Sequence, residues 1–120
     1  MSEQPFAQAI SEFLLRIERG GNSQDAVGDM MRNLERFAPH SELSGIIFYG
    51  EKERTPQEMA DEALRRERIW SEGGEVAVRA HIQALMRAAL ADPAVAGSYR
   101  YSAMQVLESI ERESERRSPN

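Results

Sequence analysis

The chain has 120 residues, 41% hydrophobic and 29% charged, with a net charge of −5. Those proportions describe one folded domain rather than a disordered segment, and the acidic balance argues against a nucleic-acid partner, which needs clustered Lys and Arg. The absence of cysteine excludes disulfides and thiolate metal sites, and no apolar run approaches the roughly 18 residues that a membrane span needs.

The opening residues Met1-Ser2-Glu3-Gln4-Pro5 carry no basic stretch of the kind a secretory signal requires, which with the missing cysteines points to the cytoplasm. Phe6, Ile10, Phe13, Leu14 and Ile17 then recur at helical spacing, and Gly20-Gly21 ends that helix. Asn22-Ser23 offers the next N-cap. The second helix carries Val27, Met30, Met31, Leu34 and Phe37 on one stripe and closes at Pro39; Asp25 near its start suits the helix dipole. The run Ile46-Ile47-Phe48-Tyr49 is too short for an independent helix and lacks the alternation of a half-buried strand. It is expected as a short irregular helix at residues 44–50. Thr55 as N-cap, Pro56 at N1 and Glu58 at N3 make a capping box. The helix they open has Met59, Ala60, Ala63 and Leu64 on its stripe, with Ile69-Trp70 folding back onto the core. Ser71 to Gly74 is expected as a loop. A further helix over residues 75–91 places Val78, Ile82, Leu85, Met86 and Ala89 on one face, and Asp92-Pro93 ends it. Ser98 can cap a last helix carrying Met104, Val106, Leu107 and Ile110. The polar tail can extend that helix through a Glu113–Arg117 pair, with fraying over about residues 112–120. The fold class is all-α, a single domain over residues 1–120. Its architecture is an antiparallel bundle of about five helices plus the short irregular one.

No catalytic constellation assembles from these residues. There are two histidines and no cysteine, no Gly-rich phosphate loop, and no serine in a nucleophile-elbow context. His81 has no second histidine one turn away, so it reads as a partly buried or surface side chain rather than a zinc ligand. The chain is therefore expected not to be an enzyme and to need no cofactor or metal.

The segment from His40 to Gly50 departs from an ordinary helical domain. Its apolar run ends in an aromatic pair and enters a stretch holding Glu51, Glu53 and Arg54. Ile46 and Ile47 belong to a core, whereas adjacent side chains on a short helix point different ways, so at least one of Phe48 and Tyr49 should be exposed. An aromatic pair rimmed by carboxylates has the composition of a protein-binding hot spot. Residues 1–62 hold 12 acidic against 6 basic side chains, a net of −6, while residues 63–120 net +1. An acidic half suits a basic protein partner by electrostatic steering; a solubilising surface is the plainer reading.

This segment, with Thr55-Pro56-Gln57-Glu58 after it, resembles the small immunity proteins with which bacteria neutralise their own colicin-type nuclease toxins. In that family a stretch of the form His-Pro-x-Gly-(Ser/Thr)-Asp-(Leu/Ile)-Ile-(Tyr/Phe)-Tyr-Pro carries the recognition helix, followed by Ser/Thr-Pro-Glu and a further helix. Aligned without gaps, the family's histidine falls on His40, its aliphatic pair on Ile46-Ile47 and its aromatic pair on Phe48-Tyr49; Trp70 echoes a Trp near the end of the following helix. The chain departs from the pattern in having Gly45 for a toxin-contacting aspartate, Pro39 before rather than after the histidine, and Gly50 for a proline. The resemblance covers about residues 5–70, and the helices from Glu75 onward have no counterpart. Immunity proteins of contact-dependent growth-inhibition systems are similar as well. Either resemblance implies a cytoplasmic protein that binds the basic C-terminal domain of a cognate toxin, expected to be a nuclease domain, with no direct nucleic-acid or membrane contact. It implies Phe48 and Tyr49 as the buried anchor, with Glu42, Glu51, Glu53, Asp25 and Asp29 pairing with Lys and Arg of the toxin. The alternative is a helical adaptor or self-associating regulator using the Ala-rich helix at 75–91 and the charged tail.

Overall fold

A computed structural model of the chain describes residues 5–117. They form α1 (Pro5–Arg19), α2 (Gln24–Glu35), α3 (Leu43–Phe48), α4 (Pro56–Ala91) and α5 (Gly97–Arg117), with no strand among the described residues. None of these helices is long and apolar enough to cross a membrane.

Local chemistry sets most of the boundaries. Gly20 and Gly21 take the positive φ of 78° and 81° that ends α1. Ser23 Oγ accepts the Ala26 N–H at 3.1 Å and so caps α2. At α4, Thr55 Oγ1 accepts the Glu58 N–H at 3.2 Å while Glu58 Oε1 accepts the Thr55 N–H at 2.9 Å, the reciprocal pair of a capping box. The second helix stops at Glu35, short of the expected boundary at Pro39. Phe37 therefore leaves its stripe and stacks on Phe6 from a half-exposed position, ring centroids 4.8 Å apart.

α4 is bent back on itself. A straight helix of its 36 residues would run about 54 Å, longer than the 45 Å of the molecule's longest dimension. Gly74 breaks it at φ 73°, ψ −162°, a region open essentially to glycine alone. A Cβ on Gly73 would come within 2.6 Å of Ala77 Cβ. Ser71, Glu72 and Gly73, expected in a loop, are helical, and the turn is confined to Gly74 because two glycines let the arms approach without a longer connection. The second arm (75–91) returns along the first (56–73), and α5 packs on that second arm. At the far end of α4, Arg100 reaches back from α5 to donate to the Leu90 carbonyl at 2.8 Å and the Asp92 carbonyl at 2.6 Å, satisfying acceptors that a helix end leaves open. α5 begins at Gly97, one residue before the expected cap, and is helical through Arg117, so the inner part of the polar tail extends the helix. An ion pair from Arg79 on α4 to Glu113 holds it there. Residues 118–120 and the side chain of Arg117, with its expected pair to Glu113, lie outside the described set.

This arrangement makes two apolar cores. One gathers Phe6, Ile10 and Phe13 of α1 with Leu34, Leu43, Ile46 and Met59, and Met30 and Met31 pack against it half-buried. The other joins Val78, Ile82 and Met86 of the second arm to Ala103, Leu107 and Ile110 of α5. The first arm of α4 lies between them and presents Glu62 and Arg66, both buried, on the side that faces its returning partner.

Candidate partner-binding surface

α3 displays the aromatic pair. Leu43 and Ile46, three residues apart, turn into the first core, and Ile47 packs half-buried against it. Phe48 and Tyr49 follow at 46% and 58% exposure. Both aromatics thus stand at the surface, where one was the minimum expected. Phe48 keeps an inner contact, its ring edge-on to Phe13 at 6.1 Å, whereas Tyr49 ends the helix with its N–H donated to the Gly45 carbonyl at 2.9 Å.

The acidic residues divide. Glu42 and Glu53 are exposed, and no ion pair or side-chain hydrogen bond engages either of them among the described residues. Glu51 is a correction to the expected set: it is 4% exposed and forms a two-pronged pair with Arg54, one contact at 3.1 Å. The turn from α3 to α4 folds the Arg54 guanidinium inward, and a buried cation needs its counter-charge beside it. That carboxylate is spent inside the protein and cannot face a partner. Asp25 and Asp29 are exposed on α2, and Asp29 pairs with Arg32 of its own helix. Neither lines the clefts beside the aromatic pair.

Those clefts separate α3 from α5. One, of about 290 Å³, is bordered by Phe48, Glu53, Tyr99 and Ser102; the other, of about 420 Å³, by Tyr49, Glu42, Met86 and Val106. The residues from α5 carry no sequence signal of this role, since only the reversal at Gly74 brings them opposite α3.

Two further residues that carry the family resemblance, His40 and Trp70, serve the scaffold. The backbone N–H of His40 donates to Glu67 of α4, His40 Nδ1 lies 3.1 Å from Glu67 Oε1, and its ring stacks on Trp70 at 3.7 Å. Trp70, expected to fold onto the core, instead covers His40 and clamps the α2–α3 connection to α4.

Beneath this surface Glu62 Oε2 accepts from Arg66 Nε at 2.8 Å and meets His81 Nε2 at 2.8 Å, while Arg65 donates to Oε1 at 2.9 Å. Burial alone would push the Glu62 carboxyl up, but the hydrogen bonds and charges of Arg66 and His81 outweigh it and hold that group below its ordinary range. Arg66 also donates to the Ser41 carbonyl at 3.1 Å, tying the start of α3 to the same network. His81 is half-buried, as its sequence context suggests. The pattern is a structural ion cluster whose every charge is already engaged. Compared with family models, with curated proteins and with solved structures, the chain matches none.

Proposed function

We propose that this protein binds the basic C-terminal domain of a cognate bacterial toxin, a nuclease domain, and neutralises it by forming a tight complex. The observation that supports this reading is the adjacent exposure of Phe48 and Tyr49 on a short helix anchored by Leu43 and Ile46, with Glu42 and Glu53 unpaired beside it. Two neighbouring aromatics held at a protein surface offer large contact area at low entropic cost. Unpaired carboxylates around them favour a partner rich in Lys and Arg, the side chains that a nuclease uses to hold its substrate. Inhibition requires no bond to be made or broken. The test is co-expression with the toxin domain that this reading expects to be encoded directly upstream of this chain's gene. The parent protects the cells, and Tyr49→Ala, folded to the same extent, does not.

Exposed Val76 on the second arm of α4, with Tyr101 and Met104 on α5, favours a second reading, a self-associating helical regulator. Sedimentation of the free chain across a concentration series tests this second reading, which expects the mass to rise with concentration.

A further inference from the structure

We propose that the groove between α3 and the second half of α5 receives an apolar side chain of the protein partner, with a neighbouring Lys or Arg of that partner seated on Glu42. The inference rests on the toxin-binding reading and extends its interface into the helices for which the family resemblance has no counterpart.

The groove has an apolar floor of Ile82, Met86, Val106 and Ile110 and a volume of about 420 Å³, within the range of about 300–1,000 Å³ typical of ligand-sized cavities. Tyr49, more than half exposed, forms one lip. The charges around it are not equivalent. Arg66 is consumed by Glu62 and the Ser41 carbonyl. Arg79 is consumed by Glu75 at 3.0 Å and by Glu113. Glu42 alone on this rim has no counter-charge among the described residues, so the groove keeps one carboxylate to offer. An exposed, unpaired carboxylate beside an apolar floor suits a cation with an apolar neighbour. The chain is itself acidic, with its excess of carboxylates in the half that includes α3. Glu42 lies in that acidic half, so a basic protein complements this rim in charge.

A second observation marks the same residue. Glu42 is the only described non-glycine residue with positive φ, at 55°, and its side chain makes no cap hydrogen bond to α3. Glycine or asparagine would hold that backbone with less strain and give the helix a better start. Strain kept at an exposed position, without a local structural return, is characteristic of binding sites.

The test uses the purified full chain and the domain that the toxin-binding reading expects to be encoded directly upstream, with affinity measured by calorimetry. Ser109→Trp fills the groove from its exposed lip, and Glu42→Gln removes the seat for the cation. Both are expected to keep the parent's thermal midpoint and to weaken the complex about tenfold or more, the scale of a central interface residue. Glu42→Gln should also flatten the salt dependence of binding. Gln105→Trp, at another exposed position lining the groove, gives a second reading should Ser109→Trp disturb the fold. A complex that the parent and the groove variants form with affinities within about twofold, while Tyr49→Ala abolishes it, overturns this inference and leaves the functional reading standing. Failure of the parent to bind the domain overturns both. Self-association of the free chain that Ser109→Trp removes assigns the groove to a second copy and likewise overturns the proposal.

Discussion

Glu62 on the first arm of α4 and His81 on the second meet at 2.8 Å across a sequence separation of 19 residues. A carboxylate can only accept, so His81 Nε2 carries the proton in this contact. The join between the two cores is therefore a polar contact to a buried carboxylate, and the cost of burying that carboxylate is offset because Arg66, Arg65 and His81 all converge on it.

Removing that carboxylate should be expensive. Glu62→Ala leaves the Arg66 guanidinium buried with no counter-charge, and breaking a buried pair from one side costs about 3–5 kcal/mol. His81→Ala removes one charge-assisted hydrogen bond and should cost less, about 1.5–3 kcal/mol. Urea unfolding of the parent and both variants measures this. A Glu62→Ala chain within about 1 kcal/mol of the parent would mean that the network contributes little net stability.

The same group sets an acid limit. The folded Glu62 carboxyl lies below its ordinary range, so the stability it contributes is fully present above the unfolded value of about 4.3. That contribution disappears as pH falls through the lower folded value. The stability difference between the parent and Glu62→Gln should stay level from pH 7 to about pH 5 and shrink toward pH 3. A difference that widens on acidification contradicts the assignment.

The bend in α4 depends on backbone freedom. Gly74→Ala forces a side chain into φ 73°, ψ −162°, at a cost of about 1–3 kcal/mol. Gly97→Ala is the internal control: its φ is not positive and nothing lies within 4 Å of an added Cβ, so stability should hold or rise slightly. Equal effects of the two substitutions would locate the turn's stability in the surrounding packing.

What could be read from sequence was local. The capping box at Thr55 and Glu58, the Ser23 cap and the glycines after α1 each act within a few residues, and the short apolar run at 46–49 did signal an unusual helix. What could not be read depended on tertiary burial. Glu62 and Arg66 at i,i+4 have the spacing of an ordinary solvated pair, and nothing local says that a returning helix covers them. Glu51 in a charged turn reads as exposed until Arg54 folds inward beside it. The placement of α5 opposite α3 follows from the reversal at Gly74, a glycine that in sequence marks only a connection.

The two glutamates of the α3–α4 turn should now behave differently. Glu53→Gln alters an exposed, unpaired charge. It should leave stability within about 0.5 kcal/mol of the parent and flatten the decline of the association rate with rising salt. Glu51→Gln weakens a buried ion pair and should destabilise the fold instead. Thermal midpoints and association rates at two ionic strengths resolve the four values. A stability loss at Glu53 matched by none at Glu51 would show the turn to be folded the other way.

The aromatic pair carries the last prediction. Tyr49 is 58% exposed, so Tyr49→Ala gives up little packing and should shift the thermal midpoint by no more than a few degrees. As an interface anchor it should cost about 2–4 kcal/mol of binding, roughly 30- to 1,000-fold in Kd. Phe48→Ala also loses an edge-on contact with Phe13, adding about 0.5–1.5 kcal/mol of folding cost to whatever it takes from binding. Ile46→Ala, buried in the first core, should act on stability alone at about 2–5 kcal/mol. Cells expressing the toxin domain then report the binding arm directly. Protection should fail with Tyr49→Ala at normal protein levels, while Ile46→Ala fails only in proportion to the folded protein it loses. If Tyr49→Ala remains folded and fully protective, α3 is not the surface of the proposed complex.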